Sequence, residues 1–116
     1  MVAFLEGVSG ADVGVVQSAL DDRQLVLAPV VLTELLSDPG LAPRVRTLLT
    51  ALPVLDVEAG FWERAGLLRA SVLKQRKKAR VADALIAQSC LDQSVPLVTR
   101  DRDFRHFARA AGLALL

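Results

Sequence analysis

The chain has 116 residues, of which 53% are hydrophobic and only 4% aromatic, so we expect one domain, residues 1–116, with an aliphatic core. The formal net charge of +1 gives no sign of a strongly basic protein that would coat nucleic acid or a membrane surface. The one cysteine, Cys90, excludes a disulfide within the chain and favours a reducing compartment. We also expect neither a membrane span nor a secretory signal, so the predicted location is the cytoplasm.

Helical spacing and short apolar runs alternate along the chain. Residues 2–6 are apolar and lead into a turn at residues 7–10. Helical spacing then predicts helices over residues 11–20, 29–37, 42–52, 59–76, 81–93 and 103–111. Apolar runs predict strands over residues 25–28, 54–57, 96–99 and 113–116. Strands that are apolar throughout and alternate with helices indicate an α/β fold, with a parallel sheet covered by helices on both faces.

Glu34 is the first carboxylate in an unusual place. It follows the predicted strand 25–28 by about one helical turn and shares a helix face with Val30 and Val31. In open parallel sheets the functional cleft lies beyond the carboxyl ends of the strands, which is where this residue falls. Glu34 is either a site residue or an acid at the helix margin with its head group in water, and the pattern alone leaves both open.

Asp83 stands in the first turn of the predicted helix 81–93. By three- and four-residue spacing it shares a face with Ile86, Ala87 and Cys90. An acid in the first turn also opposes the helix dipole, but that role favours an exposed face. Because this face is apolar and must pack on the sheet, we favour a functional role for Asp83 at the rim of the core.

Two more aspartates follow the predicted strand 96–99. Asp103 directly precedes the helical run that starts at Phe104, so helix capping explains it, with a secondary role in a site. Asp101 has no such explanation and is predicted to be a ligand. The remaining aspartates are interpreted as caps, turns or solvated positions: Asp12, Asp21, Asp22, Asp38, Asp56 and Asp92.

Acids that meet at strand ends repel one another, and a divalent cation removes that cost. Carboxylate oxygens suit Mg²⁺ or Mn²⁺, which activates water and stabilises charge in phosphodiester displacement. The chain has no His/Cys cluster for zinc, no glycine-rich phosphate loop and no Ser/His triad pattern.

Basic residues gather near the predicted carboxylates. Lys77 and Lys78 lie in the segment KQRKKAR, and Arg100, Arg102 and Arg105 surround Asp101. They are either a solvated helix end favoured by the dipole or side chains that position RNA phosphates.

The segments LVLAPVVLTELL, VADALIAQSCLDQSVPLVTRDRDF and GLALL resemble the PIN domain, specifically VapC-type toxins of bacterial toxin–antitoxin pairs. The resemblance runs over essentially the whole chain. It implies a PIN-like three-layer fold and a Mg²⁺-dependent or Mn²⁺-dependent endoribonuclease with a small antitoxin partner, an RNA substrate and a homodimeric state. Glu34, Asp83 and Asp101 match the catalytic, metal-binding acids of such proteins, and Asp103 matches the second acid of the closing motif.

The family's first acid, at the tip of its first and central strand, has no match. In the family that strand precedes a segment like VAFLEG, with which this chain begins. We therefore expect the central strand to be missing and the chain, as given, to be nearly inactive. Of two explanations, a natural protein that starts upstream of Met1 and a truncated relative, we favour the first. The alternative is a non-catalytic PIN remnant that binds an antitoxin or self-associates. A receiver-type signalling domain would require a paired acid near an early strand and a lysine after a late strand. The sequence has neither.

Overall fold

The sheet is small and parallel. The computed structural model describes residues 2–4, 25–99 and 101–116. In these ranges three strands pair in the order β2–β1–β3: β1 (Val2–Phe4), β2 (Leu25–Leu27) and β3 (Leu97–Val98). The three residues of β2 are all buried, as expected when helices cover both faces of a parallel sheet.

The expected absence of the central strand is not confirmed. Val2–Phe4 occupies the middle of the described sheet and pairs in parallel with β2 on one side and β3 on the other. Our count of predicted strands omitted this segment. The predicted turn at residues 7–10 and helix at residues 11–20 lie outside the described residues.

The described ranges contain five helices: α1 (Pro29–Leu36), α2 (Pro43–Thr50), α3 (Phe61–Lys74), α4 (Val81–Gln93) and α5 (Phe104–Ala111). Proline begins α1 and α2, where its missing N–H would have had no partner in the helix. Gly112 ends α5 with a φ of 77°, a left-handed conformation that glycine adopts without steric cost. All five helices match predicted ones to within a few residues.

The predicted strands 54–57 and 113–116 are reduced to single bridges. Val54 bridges Leu27 and Leu115 bridges Leu97, both in parallel. Each bridge has only two backbone hydrogen bonds. Leu27 donates to the carbonyl of Pro53 and accepts from Leu55; Leu97 donates to Ala114 and accepts from Leu116. The apolar runs therefore border the sheet without extending it as strands.

The core combines aliphatic strand residues with phenylalanines. Ile86, Ala87 and Cys90 on α4 are at most 1% exposed, so the face of α4 that we predicted to pack on the core does so. Cys90 is a buried free thiol, as expected, and burial raises its pKa to about 12. The expectation of a purely aliphatic core is wrong, because Phe104 and Phe107 on α5 are fully buried with ring centroids 6.0 Å apart.

Among the described helices, none combines the length and the apolar character that crossing a membrane requires.

Candidate metal centre

Three aspartates meet at one end of the molecule. One carboxylate oxygen from each of Asp83, Asp101 and Asp103 lies within 4.8 Å of the other two. The topology explains the meeting. The carboxyl end of α4 leads into β3, so the amino end of α4, with Asp83, lies near the carboxyl end of β3, which Asp101 and Asp103 follow. We call these three residues the carboxylate cluster.

Asp83 is the most buried member of the carboxylate cluster. It is 8% exposed, and its Oδ2 is buried without a hydrogen-bond partner in the described structure. A cationic atom, Arg80 Nε, lies 3.9 Å from that oxygen, which is too far for a hydrogen bond. Burial, followed by the negative charge of Asp101, raises the pKa of Asp83. The charged form of Asp83 is therefore poorly stabilised by the protein alone.

The turn after β3 uses its two aspartates differently from the prediction. Asp103 takes the position before α5 but makes no capping hydrogen bond to the helix. Instead the Oδ1 of Asp101 accepts the backbone N–H of Asp103 at 2.9 Å, and the N–H of Asp101 donates to Thr99 Oγ1 at 3.0 Å. Asp101, for which we expected no structural role, thus holds the turn that presents both carboxylates.

In the part of the chain that the structure describes, two basic side chains accompany the carboxylate cluster. Arg80 Nη2 lies 3.9 Å from Asp101 Oδ2 and 3.7 Å from Asp103 Oδ2, while its Nε faces Asp83. Lys78 Nζ lies 3.6 Å from Asp103 Oδ2. Arg80 was not among our predicted RNA-binding residues, although it ends the basic segment KQRKKAR and lies three residues before Asp83.

The structure describes four further predicted site residues outside the group of three carboxylates. Glu34 is half-buried on α1, which packs against α4, but it is not one of the three carboxylates of the cluster. Lys77, Arg102 and Arg105 are exposed. Arg100 lies outside the described residues.

One aspartate that we interpreted as a cap, turn or solvated residue has a structural role instead. Asp92, whose side chain is 9% exposed, accepts two hydrogen bonds from Arg64, at 3.2 Å from Nε and 2.5 Å from Nη2. Gln88 donates a third at 2.8 Å. The hydrogen bonds from Arg64 lower the pKa of Asp92. This group connects α3 with α4.

The donor set of the carboxylate cluster fits a hard divalent cation. It offers only oxygen ligands, which Mg²⁺ and Mn²⁺ prefer. Within residues 2–4, 25–99 and 101–116, no group donates a hydrogen bond to the buried Oδ2 of Asp83, and a cation would satisfy this oxygen.

A comparison with protein families matches residues 12–110 to the PIN domain. The match covers most of the chain, which therefore belongs to the PIN domain family. A comparison with curated protein sequences gives no significant match.

Solved structures with the same fold come from bacterial toxin–antitoxin complexes. A chain of VapBC-5 from Mycobacterium tuberculosis superposes with a TM-score of 0.70 at 19% identity, over 99% of this chain and 96% of that one. A chain of DNA-bound VapBC from Salmonella typhimurium gives 0.73 at 19% identity, over 100% and 97%. A chain of Rickettsia felis VapBC2, bound to a promoter fragment, gives 0.71 at 19% identity, over 100% and 98%. At these identities the likeness establishes the fold.

Proposed function

We propose that this protein is the toxin of a toxin–antitoxin pair and acts as a Mg²⁺-dependent or Mn²⁺-dependent endoribonuclease. The observation that carries the proposal is the carboxylate cluster in a PIN domain. Its most buried member, Asp83, has an oxygen without a hydrogen-bond partner in the described structure. PIN domains are generally nucleases that use divalent metals.

Asp83, Asp101 and Asp103 would hold the metal, with Glu34 contributing from the neighbouring α1. When bound, a divalent cation activates water and stabilises the charge that develops at a phosphodiester. Asp101 also orders its own loop, through the hydrogen bond from the Asp103 N–H, and so keeps two of the carboxylates in place.

The basic side chains around the carboxylate cluster would bind the RNA backbone. Phosphate contacts orient a nucleic acid without reading its sequence. We assign this role to Lys77, Lys78, Arg100, Arg102 and Arg105. The exposure of Lys77, Lys78, Arg102 and Arg105 supports the assignment, because an exposed cation can reach a ligand at little desolvation cost.

The proposed protein partner is a small cognate antitoxin. Support comes from the solved structures of similar fold, which are VapBC complexes. Within the cytoplasm, where we place the pair, the antitoxin would keep the nuclease inactive.

The proposed homodimer is supported by α3. Trp62 and Leu73 are about three helical turns apart, so they lie on one side of α3, and they are 63% and 45% exposed. Glu63 lies in the first turn of α3 and Lys74 in the last. Two copies of α3 that pack antiparallel would cover the apolar residues and bring each Glu63 towards the partner's basic helix end.

The test is cleavage of a mixed cellular RNA pool by the purified protein with Mg²⁺, with Mn²⁺ and with a chelator. We expect cleavage only with metal. Asp83→Asn should abolish it, because an amide keeps the shape but loses the charge. Asp56→Asn makes the same chemical change at an exposed position and should leave the cleavage rate unchanged.

Strong cleavage in chelator, or full activity in Asp83→Asn, would contradict the metal-nuclease proposal. A protein that binds Mn²⁺ and antitoxin but cleaves no RNA would support the non-catalytic alternative instead.

A further inference from the structure

Arg80 has an unusual position for a surface arginine. Its guanidinium lies within 3.9 Å of all three carboxylates of the cluster, Asp83, Asp101 and Asp103. The side chain of Arg80 is 58% exposed, whereas those of the three aspartates are 11%, 33% and 26% exposed. Arg80 therefore covers the cluster from the solvent side, where a cation or a phosphate must approach.

We infer that Arg80 is the counter-ion of the metal-free carboxylate cluster, that it competes with the divalent cation, and that metal binding frees it to contact a substrate phosphate. This inference rests on the proposed function.

The competition follows from charge and geometry. The guanidinium and a bound metal would neutralise the same three carboxylates. None of the three distances, 3.7 to 3.9 Å, is a hydrogen bond of normal length, so the arginine stabilises the cluster without locking it. Pairs this exposed contribute little free energy, and a divalent cation with direct oxygen ligands can displace the arginine.

The release towards phosphate follows from the same position. Once a metal satisfies the carboxylates, a guanidinium beside it faces a second positive charge and moves outward. Arginine binds phosphate with two parallel hydrogen bonds, which lysine cannot do. Arg80 directly precedes α4, so its backbone stays in place while the side chain turns.

The experiment measures two affinities in the full chain. Mn²⁺ binding is followed by calorimetry, and binding of a short phosphorothioate RNA at saturating Mn²⁺ is followed by fluorescence anisotropy. Arg80→Ala should bind Mn²⁺ roughly two- to fivefold more tightly, the range expected from removing exposed ion pairs. The same variant should bind the RNA about three- to tenfold more weakly.

Two further variants make the result specific. Arg44→Ala removes the same charge from an exposed position on α2 and should change neither affinity by more than a small factor. Arg80→Lys keeps the charge but loses the planar fork, so its Mn²⁺ affinity should stay near that of the wild type while its RNA affinity falls. A merely structural role for Arg80 would not shift the two affinities in opposite directions.

The two affinities distinguish failure of the inference about Arg80 from failure of the proposed function. Unchanged or weaker Mn²⁺ binding in Arg80→Ala, in a protein whose Mn²⁺ site still depends on Asp83, overturns the inference about Arg80 alone. Tighter Mn²⁺ binding with unchanged RNA binding overturns its phosphate contact. Absence of any Asp83-dependent Mn²⁺ binding in the wild type overturns the proposed function, and this inference falls with it.

Discussion

At the scale of single residues, the carboxylate cluster is stabilised poorly by its own protein. Asp83 combines near-complete burial with an oxygen that has no hydrogen-bond partner in the described structure. Uncompensated groups of this kind lower stability and persist where they serve a ligand. Asp83 should therefore lower the free energy of unfolding of the metal-free protein and raise it when a metal is bound.

We predict that Asp83→Asn stabilises the metal-free protein at neutral pH. The raised pKa of Asp83 means that the folded form binds the proton more tightly than the unfolded form, so the wild-type residue costs stability once it ionises. The gain should be about 1 kcal/mol, within the range for an unsatisfied buried group. It should shrink as the pH falls through the raised pKa, where wild-type Asp83 becomes neutral.

The measurement is the Tm of both proteins by calorimetry, in chelator, between about pH 4 and 8. Asp56→Asn, at an exposed position, should not change the Tm. Saturating Mn²⁺ should reverse the order, because only the wild type keeps the full ligand set. A variant that is less stable than the wild type in chelator at pH 7 would contradict the prediction.

At the scale of elements, α3 and α4 are joined by a polar contact near one end. Arg64 on α3 binds Asp92 on α4 through two nitrogens and also donates from Nη1 to the carbonyl of Ala59 at 2.7 Å. Gln88 donates to the same carboxylate. Because the fork geometry is bidentate, the contact sets the register of the two helices as well as joining them.

We predict that Asp92→Asn lowers the Tm by a few degrees at neutral pH. The pKa of Asp92 is lowered in the folded protein, chiefly by the hydrogen bonds from Arg64. Its contribution is therefore present above the unfolded-state pKa and is lost as the pH falls through the lower, folded-state value. Thermal melts at neutral and at strongly acid pH check this: the gap between the two proteins should be largest at neutral pH and close at low pH. A gap that persists at low pH would mean that packing, and not charge, is lost.

The exposed side of α3 supports a second prediction at this scale. Leu73→Glu should convert a dimer to a monomer, because it places a charge on the side of α3 that Trp62 and Leu73 share in the proposed contact. Leu48→Glu makes the same change on α2, at a side chain that is 49% exposed, and should leave the dimer intact. Light scattering after gel filtration gives the mass of each protein.

The fluorescence of Trp62, the one tryptophan of the chain, reports on the same helix. Its emission should shift to longer wavelength on dilution of the wild type, but not of Leu73→Glu. A wild type that is monomeric at high concentration would contradict the proposed homodimer.

At the scale of the whole molecule, the carboxylate cluster depends on the core behind it. Asp83 belongs to the helix whose inner face, including Ile86 and Cys90, packs into the main hydrophobic core with β2, β3 and α5. The cluster is therefore positioned by elements distant from one another along the chain.

We predict that Ile86→Ala costs about 2 to 5 kcal/mol, the range for deleting a fully buried aliphatic side chain. Ile86 is 1% exposed, so the cavity has no direct access to water. Leu48→Ala, at a half-exposed site, should change the free energy of unfolding by no more than about 0.5 kcal/mol. Urea denaturation in chelator gives both values. A loss below about 1 kcal/mol in Ile86→Ala would mean that α4 packs less tightly than the structure indicates.

The amino-acid sequence by itself determined the elements and part of the candidate site. Helical spacing predicted α1 to α5, and apolar runs predicted β2 and β3, because these patterns record local burial. An acid on the apolar face of α4 and an acid just beyond β3 predicted that Asp83 and Asp101 would come together with Glu34, and Asp103 was expected to be chiefly a cap. The three carboxylates that meet are those of Asp83, Asp101 and Asp103. Each of these inferences needed only spacing along one helix or a position at a strand end.

The tertiary structure decided what depends on contacts between distant segments. Arg64 and Asp92 are 28 residues apart, and no local pattern indicates that they pair. Strand pairing also depends on distant segments. The apolar runs around Val54 and Leu115 form only single bridges in the described structure, and Val2–Phe4 lies in the middle of the described sheet. The direction of Arg80 towards three carboxylates depends on how α4 meets the loop after β3. The physical reason is common to all of these: hydrogen bonds and ion pairs between elements need relative positions that only the packing of distant segments sets.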